Sequence, residues 1–305
     1  MLAYIARRVL SALPTMLGVV VLVFVLVRLT GDPARFVLGD HATDEAVALF
    51  RSVHGLDRPL HVQFASYLAG LFRGDLGTSL RYEEAVGTLF AQRWPYTLQL
   101  SALSLMLSVI IGVGVGAYTA VHAGGYVDRV ARYLAVLGQS IPGFYLGLLL
   151  IIGVAVNVPW IPTGGAGSFR HLLLPAVSLS AHFVALIARY TRSCMLDALH
   201  EGHIRTAWAK GLAERSVVWR HAFRNSLIGV ITLVATQMTT LFSGAVVTET
   251  VFAWPGIGRL AVLSILNRDY VTIQGLVVVF TVAVIVINVL VDVAYAFFDP
   301  RIVHR

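Results

Sequence analysis

Leu98-Gln99-Leu100-Ser101-Ala102-Leu103-Ser104-Leu105-Met106-Leu107-Ser108-Val109-Ile110-Ile111-Gly112-Val113-Gly114-Val115-Gly116-Ala117-Tyr118-Thr119-Ala120-Val121 runs without a single charged side chain. A helix of roughly 20 apolar residues covers about 30 Å of hydrocarbon, so this stretch predicts a membrane span. Working outward, the same reading predicts five more, at residues 9–29, 133–156, 172–190, 227–247 and 271–297. The composition agrees: 57% of the 305 residues are hydrophobic, 13% are charged and the mean hydropathy is +0.79, outside the range of a water-soluble domain. The expected fold is an all-α integral membrane protein of six transmembrane helices. Its expected organisation is an N-terminal span at 1–29, a structured outer segment at 30–97, and a five-helix core at 98–305 with a charged inner loop at 191–225.

The net charge of +7 does not point to nucleic acid, because the cations are scattered between apolar runs rather than interleaved with aromatics on one face. Cys194 is the sole cysteine, which excludes an intrachain disulfide and a cysteine metal cluster. Arg7 and Arg8 before the first span resemble a signal-peptide start, but the apolar run is too long and Val27-Arg28-Leu29 offers no small-residue cleavage site, so an uncleaved anchor is expected. With that end inside, Arg129, Arg132, Arg189, Arg192 and the cations between Arg205 and Arg224 all fall on the inner side. The short outer loops keep only Arg170, Arg259 and Arg268. Both termini are then cytoplasmic.

In the outer segment, Thr43 is expected to cap a helix with Asp44 and Glu45 in its first turn and Gly55 as its stop. Pro59 is expected to start a second, amphipathic helix ending before Gly74, which either lies on the outer membrane surface or packs on the spans.

The inner loop carries the chemistry that pattern alone can see. Ile204, Ala207, Trp208 and Gly211 share one helical stripe, Arg205 and Lys210 point elsewhere, and Gly211 should break the helix before a second run from Ala213 to Phe223. Such a peg fits a groove on a partner protein, or it is a hairpin resting on the membrane surface. No Gly-x-x-x-x-Gly-Lys-Ser/Thr phosphate cradle exists in the sequence. Gly112, Gly114 and Gly116 lack the preceding strand of a dinucleotide site and are read as close helix packing.

Arg205-Thr206-Ala207 with Gly211 and the run His221-Ala222-Phe223-Arg224-Asn225 resembles the EAA loop of ABC importer permeases of the dipeptide, oligopeptide and nickel family. Gly31-Asp32-Pro33, Gly74-Asp75-Leu76-Gly77-Thr78-Ser79, Ser140-Ile141-Pro142, Trp254-Pro255-Gly256-Ile257-Gly258 and Asp299-Pro300-Arg301 are also similar to that family, and the outer segment resembles the first of its two paired permeases. Gly229 departs from the family's usual proline. The resemblance implies a bacterial inner-membrane permease with no catalytic site of its own, forming half of a path for peptides or similar small solutes. Its partners would be a second permease, two ATPase subunits carrying ATP and magnesium, an extracytoplasmic solute-binding protein and membrane lipid. Residues 203–216 would hold the coupling helix, with Arg205, Thr206, Ala207, Trp208, Lys210, Gly211, Glu214 and Arg215 at the ATPase contact.

Ser140, Pro142, Glu249 and Asp292 are the candidates for the pathway or for inter-subunit contact, since ionisable groups in hydrocarbon usually face a cavity or partner. Asp292 is expected to face the inter-helix interior, and Glu249 the outer mouth or the partner permease. Within the same family, nickel or a metal chelate is the alternative cargo. His182 is isolated, and the pair His200 and His203 reads as a solvated helix face rather than a metal site. An intramembrane enzyme lacks any motif that assembles Ser140, His182 and Asp292. A gradient-driven carrier would need inverted repeats and a midplane carboxylate, neither of which is found.

Overall fold

A computed structural model describes residues 2–29, 33–38, 42–79 and 81–298. In chain order the helices are α1 (Leu2–Leu29), α2 (Pro33–Leu38), α3 (Asp44–Val53), α4 (Leu60–Phe72), α5 (Val86–Val121), α6 (Tyr126–Ser140) and α7 (Gly143–Leu150). There follow α8 (Phe169–Leu199), α9 (Gly202–Ala209), α10 (Glu214–Ser216), α11 (Phe223–Val251), α12 (Ile257–Leu266) and α13 (Tyr270–Phe298). Two π-helical stretches extend them: Ile151–Ala155 after α7, and Val217–Ala222, which joins α10 to α11 without a break. Among the described residues five helical runs are long and apolar enough to cross a bilayer, and the bent pair α6 and α7 passes the same test when taken as one span. This is an all-α integral membrane fold. The chain divides into two compact units, Met1–Pro95 with Arg259–Val289 and Tyr96–Gly258 with Leu290–Arg305.

In the first unit α1 presents Leu10, Leu13, Leu17, Leu22 and Leu26 outward and buries Val20, Val23, Phe24 and Val27, as a span with one protein-facing stripe must. Thr43 accepts the Ala46 N–H at 3.3 Å at the start of α3, and Gly55 after it is left-handed at φ +65°, so the cap and stop stand where the sequence places them. The amphipathic α4 packs on a span: Phe24 meets Phe64 edge-on at 5.0 Å and stacks on Tyr67 at 6.0 Å. The Gly74–Ser79 motif is a tight loop whose Ser79 hydroxyl donates to Asp269 Oδ2 at 2.5 Å. Asp269 in turn caps α13, its Oδ1 accepting the Thr272 N–H at 3.3 Å while its Oδ2 accepts the Thr272 hydroxyl at 2.6 Å. Gly77 has φ +85°, and a Cβ there would stand 2.6 Å from Val271, which is why only glycine fits.

The second unit is organised around α8, whose apolar stretch is 61% buried. Leu172, Ala176, Leu179, Phe183 and Ile187 of α8 pack with Leu100, Val230, Leu241, Ala245 and Trp254 in one apolar core. Gly112 and Gly116 let α5 approach α8 closely: a Cβ at Gly112 would lie 2.8 Å from Ile187 Cβ, and one at Gly116 would collide with the Ala188 carbonyl. Gly114, the third glycine of the run, faces open space.

The predicted third span, 133–156, is not one straight helix. α6 and α7 meet at 103°, because Ile141 precedes a proline and is extended at φ −83°, ψ 121°. The Ser178 hydroxyl holds the new start by donating to the Gly143 carbonyl at 2.8 Å. Gly229 leaves α11 unbroken, and a Cβ there would approach Cys194 Sγ to 3.2 Å, so the glycine serves closeness to α8 rather than a bend.

Candidate functional site

The hairpin between α8 and α11 begins where the α8 carbonyls run out. His200 closes that end, its Nδ1 lying 2.7 Å from the Leu196 carbonyl. Glu201 turns extended, and its carboxylate receives Asn225 Nδ2 at 3.2 Å and 3.3 Å while His203 Nδ1 stands 2.9 Å away. These contacts tie the first residue of the hairpin to the helix that leads out of it.

α9 then buries Ile204 and Ala207 against Ala198, Val217 and Ala222. Gly211, at φ +74° with nothing near its missing side chain, reverses the chain, and the Leu212 N–H returns to the Ala207 carbonyl at 3.4 Å, a helix end that needs a left-handed residue. The π-helical stretch after α10 turns Val217, Val218 and Ala222 inward and leaves Trp219 and Arg220 outside. Val218 joins Ala120 and Met195 in a second small core, so the hairpin is anchored to the ends of both α5 and α8. An element fixed on two sides moves as a rigid piece with the helices beneath it.

Of the eight residues expected at the contact face, Arg205, Thr206, Trp208, Lys210, Gly211, Glu214 and Arg215 are exposed. Ala207 is instead 7% exposed: it lies under the peg and holds it in place. Pattern reading missed Leu212 and Trp219, 39% and 48% exposed beside the 46% of Trp208. An apolar residue directly after a helix-breaking glycine was the available signal for Leu212. Among the described residues no group of three His, Cys, Asp or Glu side chains is placed to hold a metal.

The pathway candidates lie apart from the hairpin. Ser140 and Pro142 are exposed at the bend, the Ser140 hydroxyl donating to the Val136 carbonyl at 2.8 Å. Glu249, expected at the outer mouth or at a partner, is fully buried. The Thr97 hydroxyl donates to its Oε1 at 2.6 Å and itself accepts the Ile257 N–H at 2.9 Å. A Cβ at Gly256 would collide with the carboxylate. The Trp254-Pro255-Gly256-Ile257-Gly258 turn is thus folded over Glu249, and the Trp254 ring is pinned by its Nε1 donating to the Tyr96 carbonyl at 2.9 Å. Asp292 falls on α13, and its side chain lies outside the described residues, as do residues 31–32 and 299–301 of the family-like motifs.

One charged group went unnoticed in the sequence. Asp128, with no solvent exposure, receives Arg192 in two bonds, Nε to Oδ1 at 2.6 Å and Nη2 to Oδ2 at 3.0 Å, with Arg132 at 3.6 Å and the Gly124 N–H at 2.9 Å. This fork joins the start of α6 to the part of α8 that enters the hairpin, and its planarity gives it a defined orientation. The only hint was an acid among inner-side arginines.

Known proteins carry the same pattern along the whole chain. Residues 112–304 match the family described as "Binding-protein-dependent transport system inner membrane component", and residues 1–101 match "Binding-prot-dependent transport system membrane comp, N-term". The glutathione transport system permease protein GsiC of Salmonella choleraesuis (strain SC-B67) is 44% identical over 306 residues, covering 100% of both chains. GsiC of Escherichia coli (strain K12) is 42% identical over the same span and coverage. Among solved structures, the MetNI methionine ABC transporter in inward facing conformations shares the fold at a TM-score of 0.60 and 20% identity, over 69% of this chain and 96% of that one. An amino acid ABC transporter with histidines does so at 0.57 and 15%, over 68% and 94%. With family models and relatives matched along its length and five to six helical segments long and apolar enough to cross a bilayer among the described residues, this chain belongs to the binding-protein-dependent inner-membrane component family, as a permease subunit of an ABC importer of the peptide and nickel type.

Proposed function

We propose that this permease is the first of a pair that imports small peptides or peptide-like solutes, and that the α9–Gly211–α10 hairpin is the coupling element gripped by a cytosolic ATPase. The observation that carries the reading is the hairpin itself: exposed Trp208 with Arg205, Lys210, Glu214 and Arg215 around it, on a base anchored by buried Ile204, Ala207, Val217 and Val218. A partner that pulls on such a peg moves α8 and α11 with it. A contact equally good in both ATPase states would shift nothing, so the charged residues set which state is preferred. ATP and magnesium are held by two partner ATPase subunits, because this sequence has no phosphate cradle. Solute arrives from an extracytoplasmic binding protein, and both termini of the permease lie in the cytosol. The GsiC relatives, named for glutathione, support a short peptide-like cargo.

The test is uptake of glutathione and of dipeptides by the reconstituted complex of both permeases, ATPases and binding protein. Gly211→Val forces a β-branched residue into φ +74°, costing roughly 1–2 kcal/mol locally. It is expected to cut uptake about tenfold or more while ATP hydrolysis persists. Unchanged uptake in this variant contradicts the coupling role, and uptake of neither solute contradicts the cargo.

A further inference from the structure

Beside the hairpin, at the start of α11, lies an open cleft of about 610 Å³, whose lining includes none of the eight residues expected at the ATPase contact. One wall is cationic: Arg220 and Arg224 are exposed, and His221 and His203 stand with them. Among the described residues neither arginine forms an ion pair, and the Glu201 carboxylate is taken up by Asn225 and His203. The other wall is purely apolar: Leu227, Ile228 and Ile231 line it, and Ile228 is 50% exposed. These three belong to a helical run long and apolar enough to cross a membrane. Trp219, 48% exposed and set edge-on against Phe223 at 5.3 Å, stands next to the arginines, and exposed tryptophan with arginine is the usual furniture of a bilayer interface.

We propose that this cleft binds an anionic phospholipid, with Arg220 and Arg224 on the headgroup phosphate and an acyl chain along Leu227, Ile228 and Ile231. Two unpaired guanidiniums call for an anion, and the adjoining apolar wall calls for a ligand that is anionic at one end only. A free phosphate would make no use of that wall, and an acidic protein surface would have nothing to lay against it. Cationic sites at the cytosolic ends of spans are where anionic headgroups are available, and the orientation proposed above puts this cleft there. The binding chemistry itself does not depend on the ATPase contact.

The experiment uses the intact complex in phosphatidylcholine nanodiscs containing a photoactivatable phosphatidylglycerol, with photoactivatable phosphatidylcholine in a parallel sample. Adducts of the anionic lipid are expected within residues 220–231, reduced about tenfold in the Arg220→Gln, Arg224→Gln double variant. The Arg220→Lys, Arg224→Lys variant should restore them, which separates loss of charge from misfolding. Excess inorganic phosphate should not compete. Equal labelling by both lipids, labelling indifferent to the glutamines, full competition by phosphate, or a cross-linker at position 224 that captures the ATPase or the second permease would each overturn the assignment. Loss of coupling in Gly211→Val with lipid labelling intact would leave it standing, so the two proposals fail separately.

Discussion

Asp128 shows how much a single residue can hold. Its carboxylate accepts both arms of Arg192, which remains 21% exposed, along with the Gly124 N–H. Removing it in Asp128→Ala strands a partly buried guanidinium, a loss of about 2 kcal/mol after allowing for the solvent that reaches Arg192. The measurement is thermal unfolding of the purified permease in detergent, where a clear drop in midpoint is expected. Glu249 makes a second case. Glu249→Gln keeps an acceptor for the Thr97 hydroxyl and fills the same space under the turn, whereas Glu249→Ala opens a void beneath Trp254. The alanine variant is expected to lose about 2–4 kcal/mol and the glutamine variant much less, read by the same melting experiment. Local chemistry of this kind was legible in the sequence only where partners are close along the chain. Thr43 and its cap, or Gly211 and its turn, involve neighbours within a few residues. Asp128 and Arg192 are 64 residues apart and Thr97 and Glu249 are 152 apart, distances over which periodicity carries no information.

At the scale of elements, helix approach is controlled by which face a glycine occupies. Gly116→Val would drive a side chain into the Ala188 carbonyl and Thr191, while Gly114→Ala meets nothing within 4 Å. The first should cost about 1–3 kcal/mol or prevent assembly of α5 on α8; the second should be neutral. Comparing the yield of folded, monodisperse protein from the two variants checks this directly. The run Gly112, Gly114, Gly116 announced close packing in the sequence, but not that only the first and third take part. Span positions were readable because a bilayer imposes one length and one polarity on every crossing. The 103° break between α6 and α7 was not, although Pro142 stood in view. A proline tells that the preceding residue leaves the helical region, not the direction in which the chain resumes.

For the whole molecule, the hairpin matters because of what stands beneath it. Buried Ile204, Ala207 and Val217 bind it to α8, and Val218 and Met195 bind it to the end of α5, so a displacement of the peg is shared by two long helices. The sequence disclosed the peg and its glycine, along with the tryptophan at its tip. It misplaced Ala207, because the stripe that includes Ile204 is the buried side and Trp208 stands at its edge. Burial inside one's own chain and burial against a partner leave the same small-residue signature. The central claim, that this peg meets an ATPase, is tested most directly by replacing Trp208 with p-benzoylphenylalanine in the assembled importer and irradiating it with and without ATP. The account predicts an adduct to an ATPase subunit whose yield changes with nucleotide. An adduct to the solute-binding protein, or to lipid alone in both states, would contradict it.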